Sequence, residues 1–126
     1  MTFCLMVGAA LLSLPTPDFT LRWTHSVEKI DWVEQWQITA PSQTLAPTLT
    51  LTRTAIKGSG AGMEPADNAK LENGWWVWRP MTQVPKLTLA ASGATGAGWH
   101  LCTQTECQDL GTTAGPPITL KPCPPQ

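Results

Sequence analysis

Phe19-Thr20-Leu21-Arg22-Trp23-Thr24-His25-Ser26 and Ile30-Asp31-Trp32-Val33-Glu34-Gln35-Trp36-Gln37-Ile38-Thr39 decide the fold class. In the first stretch Phe19, Leu21 and Trp23 alternate with Thr20, Arg22 and Thr24. In the second, Ile30, Trp32, Trp36 and Ile38 share one parity. A period of two belongs to a strand that buries one face and wets the other. A third run, 47–57, sets Leu49, Leu51 and Ala55 against Thr48, Thr50, Thr52 and Thr54. Those β-branched threonines suit a solvated sheet face.

Outward from these three strands the pattern continues in short pieces. Trp75–Arg79, Lys86–Ala91, Gly98–Cys102, Gln108–Leu110 and Ile118–Lys121 read as further strands. They are separated by turn-forming clusters such as Asn73-Gly74, Pro80–Pro85 and Ser92–Gly98. No segment sustains a 3.6-residue period and no solenoid-length repeat is present. The expectation is an all-β fold, a small antiparallel meander forming a sandwich or barrel with little helix. The 126 residues suffice for one domain with a real core. Twelve prolines, ten glycines and only 13% charged residues agree with short strands and turns. The net charge of −1 is scattered, so nucleic acid is not an expected partner.

Three regions are expected. Residues 1–17 contain the apolar, uncharged run Cys4-Leu5-Met6-Val7-Gly8-Ala9-Ala10-Leu11-Leu12 before Pro15 and Pro17. The run is shorter than the roughly 20 residues of a membrane span and resembles the apolar core of a secretory signal, though no Lys or Arg precedes it. The other reading of this run is a first β-strand buried in the domain. Residues 18–112 form the β domain, and 113–126 a Pro-rich C-terminal tail that looks disordered.

Parity also nominates a site. Pairing Trp23 with Trp36 across a loop at Glu28–Asp31 sets His25 opposite Glu34. Pairing Ile38 with Leu49 and Trp36 with Leu51 sets Arg53 opposite the same Glu34. A buried carboxylate needs such partners, and a single β-bulge would undo the arrangement. Glu28 and Lys57 extend this cluster. The loop Lys57-Gly58-Ser59-Gly60-Ala61-Gly62-Met63-Glu64 forms a candidate lip, its three glycines permitting positive φ. It lacks the Gly-Lys-Ser/Thr ending and the strand–loop–helix setting of a phosphate cradle. Trp75, Trp76 and Trp78 alternate faces; Trp76 is taken as the exposed, partner-contacting ring. No nucleophile, metal set or oxyanion hole accompanies His25 and Glu34, so no catalytic residue, metal or cofactor is expected. The ligand- or partner-binding residues are therefore His25, Glu28, Glu34, Arg53, Lys57, Gly58, Gly60, Gly62 and Trp76.

Cys102 and Cys107 are separated by four residues, a spacing that suits a hairpin loop and a disulfide. A zinc site using His100, Cys102, Cys107 and Cys123 is the weaker alternative, since its spacing matches no standard motif. Cys123 is either a free thiol or the partner of Cys4 in an unprocessed chain.

His25-Ser26-Val27-Glu28-Lys29, Trp32-Val33-Glu34-Gln35-Trp36, Ile56-Lys57-Gly58-Ser59-Gly60-Ala61-Gly62-Met63-Glu64 and Gly74-Trp75-Trp76 together resemble the domain-of-unknown-function family 1850. Ser92-Gly93-Ala94-Thr95 and Trp99-His100-Leu101-Cys102 are similar to it as well, and the likeness runs over roughly residues 19–110. Members are small bacterial and archaeal proteins, often encoded beside TRAP-type transporters of the TAXI class. The resemblance implies a periplasmic or membrane-edge accessory or binding protein partnered with TRAP/TAXI transporter components, with membrane association through the N-terminal segment. The alternative is a periplasmic domain that binds a small organic anion in the barrel mouth; an enzyme of unknown type ranks below both.

Overall fold

The computed structural model describes residues 3–24, 31–40, 46–57, 66–91 and 98–124. Among them are twelve strands and no helix, in antiparallel sheets packed as a sandwich-like fold. In chain order the strands are β1 (Phe3–Val7), β2 (Ala10–Leu14), β3 (Asp18–Thr24), β4 (Asp31–Thr39), β5 (Thr48–Lys57), β6 (Lys70–Glu72), β7 (Trp75–Trp78), β8 (Thr82–Val84), β9 (Leu87–Ala91), β10 (Trp99–Cys102), β11 (Cys107–Leu110) and β12 (Gly115–Pro122). The larger sheet runs β11-β10-β3-β4-β5-β7-β6, with β8 also paired to β5; the smaller runs β2-β1-β12-β9. The meander expected from sequence holds through β3, β4 and β5. The pairings β10 with β3, and β12 with both β1 and β9, join strands distant in sequence.

The core lies between the sheets. Phe19, Leu21, Trp36, Ile38, Leu49 and Leu101 face inward from the larger sheet and meet Leu5, Leu12, Leu14, Leu89 and Leu120 from the smaller. Burying such a side chain contributes about 1.5–3 kcal/mol. Period-two alternation on both layers is what lets two sheets share these residues and leave their outer faces wet.

The regions expected at 1–17 and 113–126 do not stand apart from the β domain in this structure. They supply three of the four strands of the smaller sheet. Gly8, at φ 61, opens a two-residue turn that folds β2 back on β1. Leu5, Leu12 and Leu14 are then buried, as in the reading of this run as a buried strand. The proline-rich end becomes β12 because Pro116 and Pro117 fall within a register irregularity between Gly115 and Ile118, where no ladder N–H is required of them. Cys123 bonds to Cys4, tying this end to the start of β1.

Candidate functional site

The expected registers fail in two informative places. In the β3–β4 hairpin Trp23 lies opposite Trp32, Leu21 opposite Glu34 and Phe19 opposite Trp36. The slip from the expected register is even, so every side chain keeps its face. What favours this register is the stack of Trp23 on Trp32, 5.3 Å between centroids, and on the outer face the link of Asp31 to Arg22 (2.7 Å) and Thr24 (2.9 Å). Between β4 and β5, Ile38 meets Leu49 and Trp36 meets Leu51 as expected. A bulge between Gln35 and Trp36 then absorbs Thr52 and sets Arg53 opposite Gln35. One extra residue turns Arg53 to the outer face and Thr54 to the inner one, opposite Glu34. The threonine ladder is accordingly not all solvated. Thr54 is 2% exposed, and Thr50, bonded to Thr39 at 2.7 Å and paired with Gln83 of β8, is 4% exposed.

Glu34 is therefore separated from Arg53, and its neighbours are aromatic. Its carboxylate accepts a hydrogen bond from the Trp36 indole N–H at 3.0 Å. Burial raises its pKa above the ordinary 4.5. The Trp36 bond opposes that shift, and so, more weakly, does the Trp32 indole, whose N–H falls short of hydrogen-bond geometry. Beyond it Trp23 packs against Trp99 (4.5 Å) and Trp32 meets Trp78 edge-on (6.4 Å). Trp99 is further fixed by its indole N–H, which donates to the Ala90 carbonyl at 3.0 Å. This end of the core is a filled aromatic cluster with one half-buried carboxyl.

The outer face of the larger sheet is different in kind. The ladder places Cys102, Thr20, Gln35 and Arg53 in one rank across β10, β3, β4 and β5. The next rank is His100, Arg22, Val33, Ala55 and Val77, and beyond it Lys57 stands opposite Trp75. Arg22 and Trp75 belong to strands three places apart, roughly 14 Å in a flat sheet. The Arg22 guanidinium carbon nevertheless lies 5.8 Å from the Trp75 ring centroid, because the two side chains lean together over the small Val33 and Ala55. The Lys57 ammonium sits 5.3 Å from the same ring. Val33, Arg53, Ala55 and Trp75 line a recess of about 160 Å³. Arg22 is committed to Asp31, whose pKa is lowered by the Arg22 hydrogen bond first and the Thr24 hydroxyl second. Arg53 and Lys57 have no carboxylate partner among the described residues.

Arg53 and Lys57 thus share a face as cations, whereas Glu34 belongs to the opposite one. Trp76 lies across from Ile56 on the inner side; the ring that joins the cations is Trp75. His25, Glu28, Gly58, Gly60 and Gly62 lie outside the described residues. The Cys102–Cys107 disulfide is present across the β10–β11 pair. With Cys123 bonded to Cys4, none of the three thiols is left to join His100 on a metal, and His100 instead contacts Asp109 at 2.5 Å. Sequence parity already placed Arg22 on the solvated face of its strand and gave Trp75 and Trp76 opposite faces. What it lacked was the bulge that brings Arg53 and Lys57 round to join Arg22 and Trp75.

A family model described as "Domain of unknown function (DUF1850)" matches residues 19–110. The chain belongs to the DUF1850 family. No curated protein and no solved structure shows significant similarity to it. In this DUF1850 chain the matched segment spans β3 to β11, so it contains the whole larger sheet, the cationic face and the aromatic cluster. Strands β1, β2 and β12 and the Cys4–Cys123 bond lie outside it.

Proposed function

We propose that this DUF1850 chain is a non-catalytic binding module acting outside the cytoplasm, which presents the outer face of its larger sheet to a carboxylate. The observation that carries this is the grouping of Arg53, Lys57 and Trp75 around the Val33–Ala55 recess. A guanidinium with no carboxylate partner among the described residues offers a planar fork that fits a carboxylate with two parallel hydrogen bonds. Lys57, held over the Trp75 ring, adds charge at the rim. Two disulfides suit an oxidising compartment. Among the described residues no helix is long and apolar enough to cross a membrane. The setting proposed with it is that of an accessory to a TAXI-type TRAP transporter that handles an organic anion.

Isothermal titration against a panel of small carboxylates tests the binding reading. Arg53→Gln is expected to weaken the best ligand about ten-fold or more, equivalent to about 1.4 kcal/mol. A panel with no binder at all refutes the carboxylate reading. The transporter setting is tested by affinity purification from solubilised membranes; recovery of no transporter component counts against it.

A further inference from the structure

A second recess, of about 240 Å³, opens on the same outer face beside the first, and its walls are of another chemistry. Beside Phe19 and Cys102 its lining carries six polar residues, Asp18, Thr20, Gln35, Thr52, Thr103 and Gln104, with the Cys102–Cys107 disulfide bracing the β10 side. Two of the polar groups are already used. The Thr52 hydroxyl donates to the Gln35 carbonyl, and the Thr103 hydroxyl accepts from the main-chain N–H groups of Thr105 and Glu106. The side chains of Asp18, Thr20, Gln35 and Gln104 have no hydrogen-bond partner among the described residues, and all four residues line the recess.

The two recesses meet at one pair of residues. Gln35 lines the polar recess and Arg53 the cationic one, and the bulge makes them direct cross-strand neighbours. Residues so paired have Cβ atoms about 4.5–5.5 Å apart on the same face. A carboxylate seated on Arg53 therefore brings the next few carbons of its chain past the Gln35 amide. Acceptors and donors continue from there through Thr20 to Gln104 and Asp18, a set that matches hydroxyl groups. Asp18, being anionic, accepts from hydroxyls and repels a carboxylate, so it fixes which end of the molecule lies where. The two volumes together reach the lower part of the range for small-molecule sites, about 300–1,000 Å³.

We infer that the ligand of this face is a polyhydroxylated carboxylate of sugar-acid type, its carboxylate on Arg53 and its hydroxyls along Gln35, Thr20, Gln104 and Asp18. This rests on the carboxylate reading of Arg53 proposed above and adds the substrate class.

The test compares D-gluconate, hexanoate and glucose by isothermal titration on the wild-type chain, Gln35→Leu and Arg53→Gln. Hexanoate matches gluconate in chain length and charge without its hydroxyls, and Gln35 is exposed, so its replacement leaves the core intact. Gluconate is expected to bind at least ten-fold tighter than hexanoate, and glucose to bind more weakly than gluconate. Gln35→Leu should collapse the gluconate preference while leaving hexanoate unchanged, and Arg53→Gln should weaken both acids. Equal affinities for the two acids, or a preference that survives Gln35→Leu, overturn the sugar-acid assignment and leave the carboxylate reading standing. If neither acid binds, both readings fall together.

Discussion

The Cys4–Cys123 bond gives the sharpest test of how the ends of the chain enter the fold. It joins residues 119 apart, whereas Cys102–Cys107 joins residues 5 apart. A cross-link stabilises mainly by removing freedom from the unfolded chain, and more so when the loop is long. Loop-closure entropy gives about 4.9 kcal/mol for the long loop and about 2 kcal/mol for the short one at 25 °C. Both bonds span strands that stay paired by other means. Leu5 pairs with Pro122 beside the first, and Leu101 with Gln108 beside the second. Loss of sulfur should therefore act mainly through the unfolded state. Replacing both members of each pair, Cys4→Ser with Cys123→Ser and Cys102→Ser with Cys107→Ser, avoids stray thiols. Urea unfolding followed by the emission of the seven tryptophans supplies the assay. With an m-value of about 1.5 kcal/mol/M, the midpoint should fall by about 3 M for the first pair and about 1.4 M for the second. Against a total stability of about 5–15 kcal/mol, the first loss is large. Equal shifts would refute the loop-entropy argument. A first pair without effect would show that the hairpin β1–β2 is no part of the folded domain in solution, as in a chain from which the N-terminal segment has been cleaved.

Two further outcomes follow from the aromatic end of the core and from one glycine. Glu34 has a raised pKa, so the folded state holds its proton more tightly than the unfolded state. Its charge therefore lowers stability as pH rises from 4.5 through the raised value, and the penalty persists above it. Glu34→Gln, which keeps an acceptor for Trp36, should gain on wild type at pH 7 and lose that advantage by pH 4; a gap in urea midpoint independent of pH would contradict this. Asp31 has the opposite sign, its stabilising contribution fading as pH falls, and the variant-minus-wild-type difference removes it. Gly98 has φ 69, and a Cβ there would stand 2.4 Å from the Leu110 carbonyl oxygen. Gly98→Ala should cost more than the roughly 1–2 kcal/mol of a left-handed residue. Gly115→Ala, with nothing within 4 Å, should stay within about 0.5 kcal/mol; equal thermal shifts for the two would overturn the close-approach argument.

Alternation in the sequence was enough to set the class of fold and the faces of β3 and β4. Period-two alternation in Phe19–Thr24 and Asp31–Thr39 placed Phe19, Leu21, Trp36 and Ile38 in the core, and an even slip in register could not change that. The spacing of Cys102 and Cys107 favoured the disulfide that the structure contains, because a four-residue hairpin loop brings their backbones together. Only the tertiary structure decided which face Arg53 and Lys57 take. The bulge at Thr52 shifts the parity of β5, so that Leu49 and Leu51 point inward before it and Ile56 after it; it separated Glu34, already on the inner face of β4, from Arg53, which it turned outward beside Lys57. The ring that completes the cationic face, Trp75, reaches it through pairing with β5, and Arg22 reaches the same ring from three strands away. Likewise Leu5, Leu12 and Leu120 are apolar in any context. Their burial comes from pairing the two ends of the chain, a contact across more than a hundred residues that no local pattern encodes.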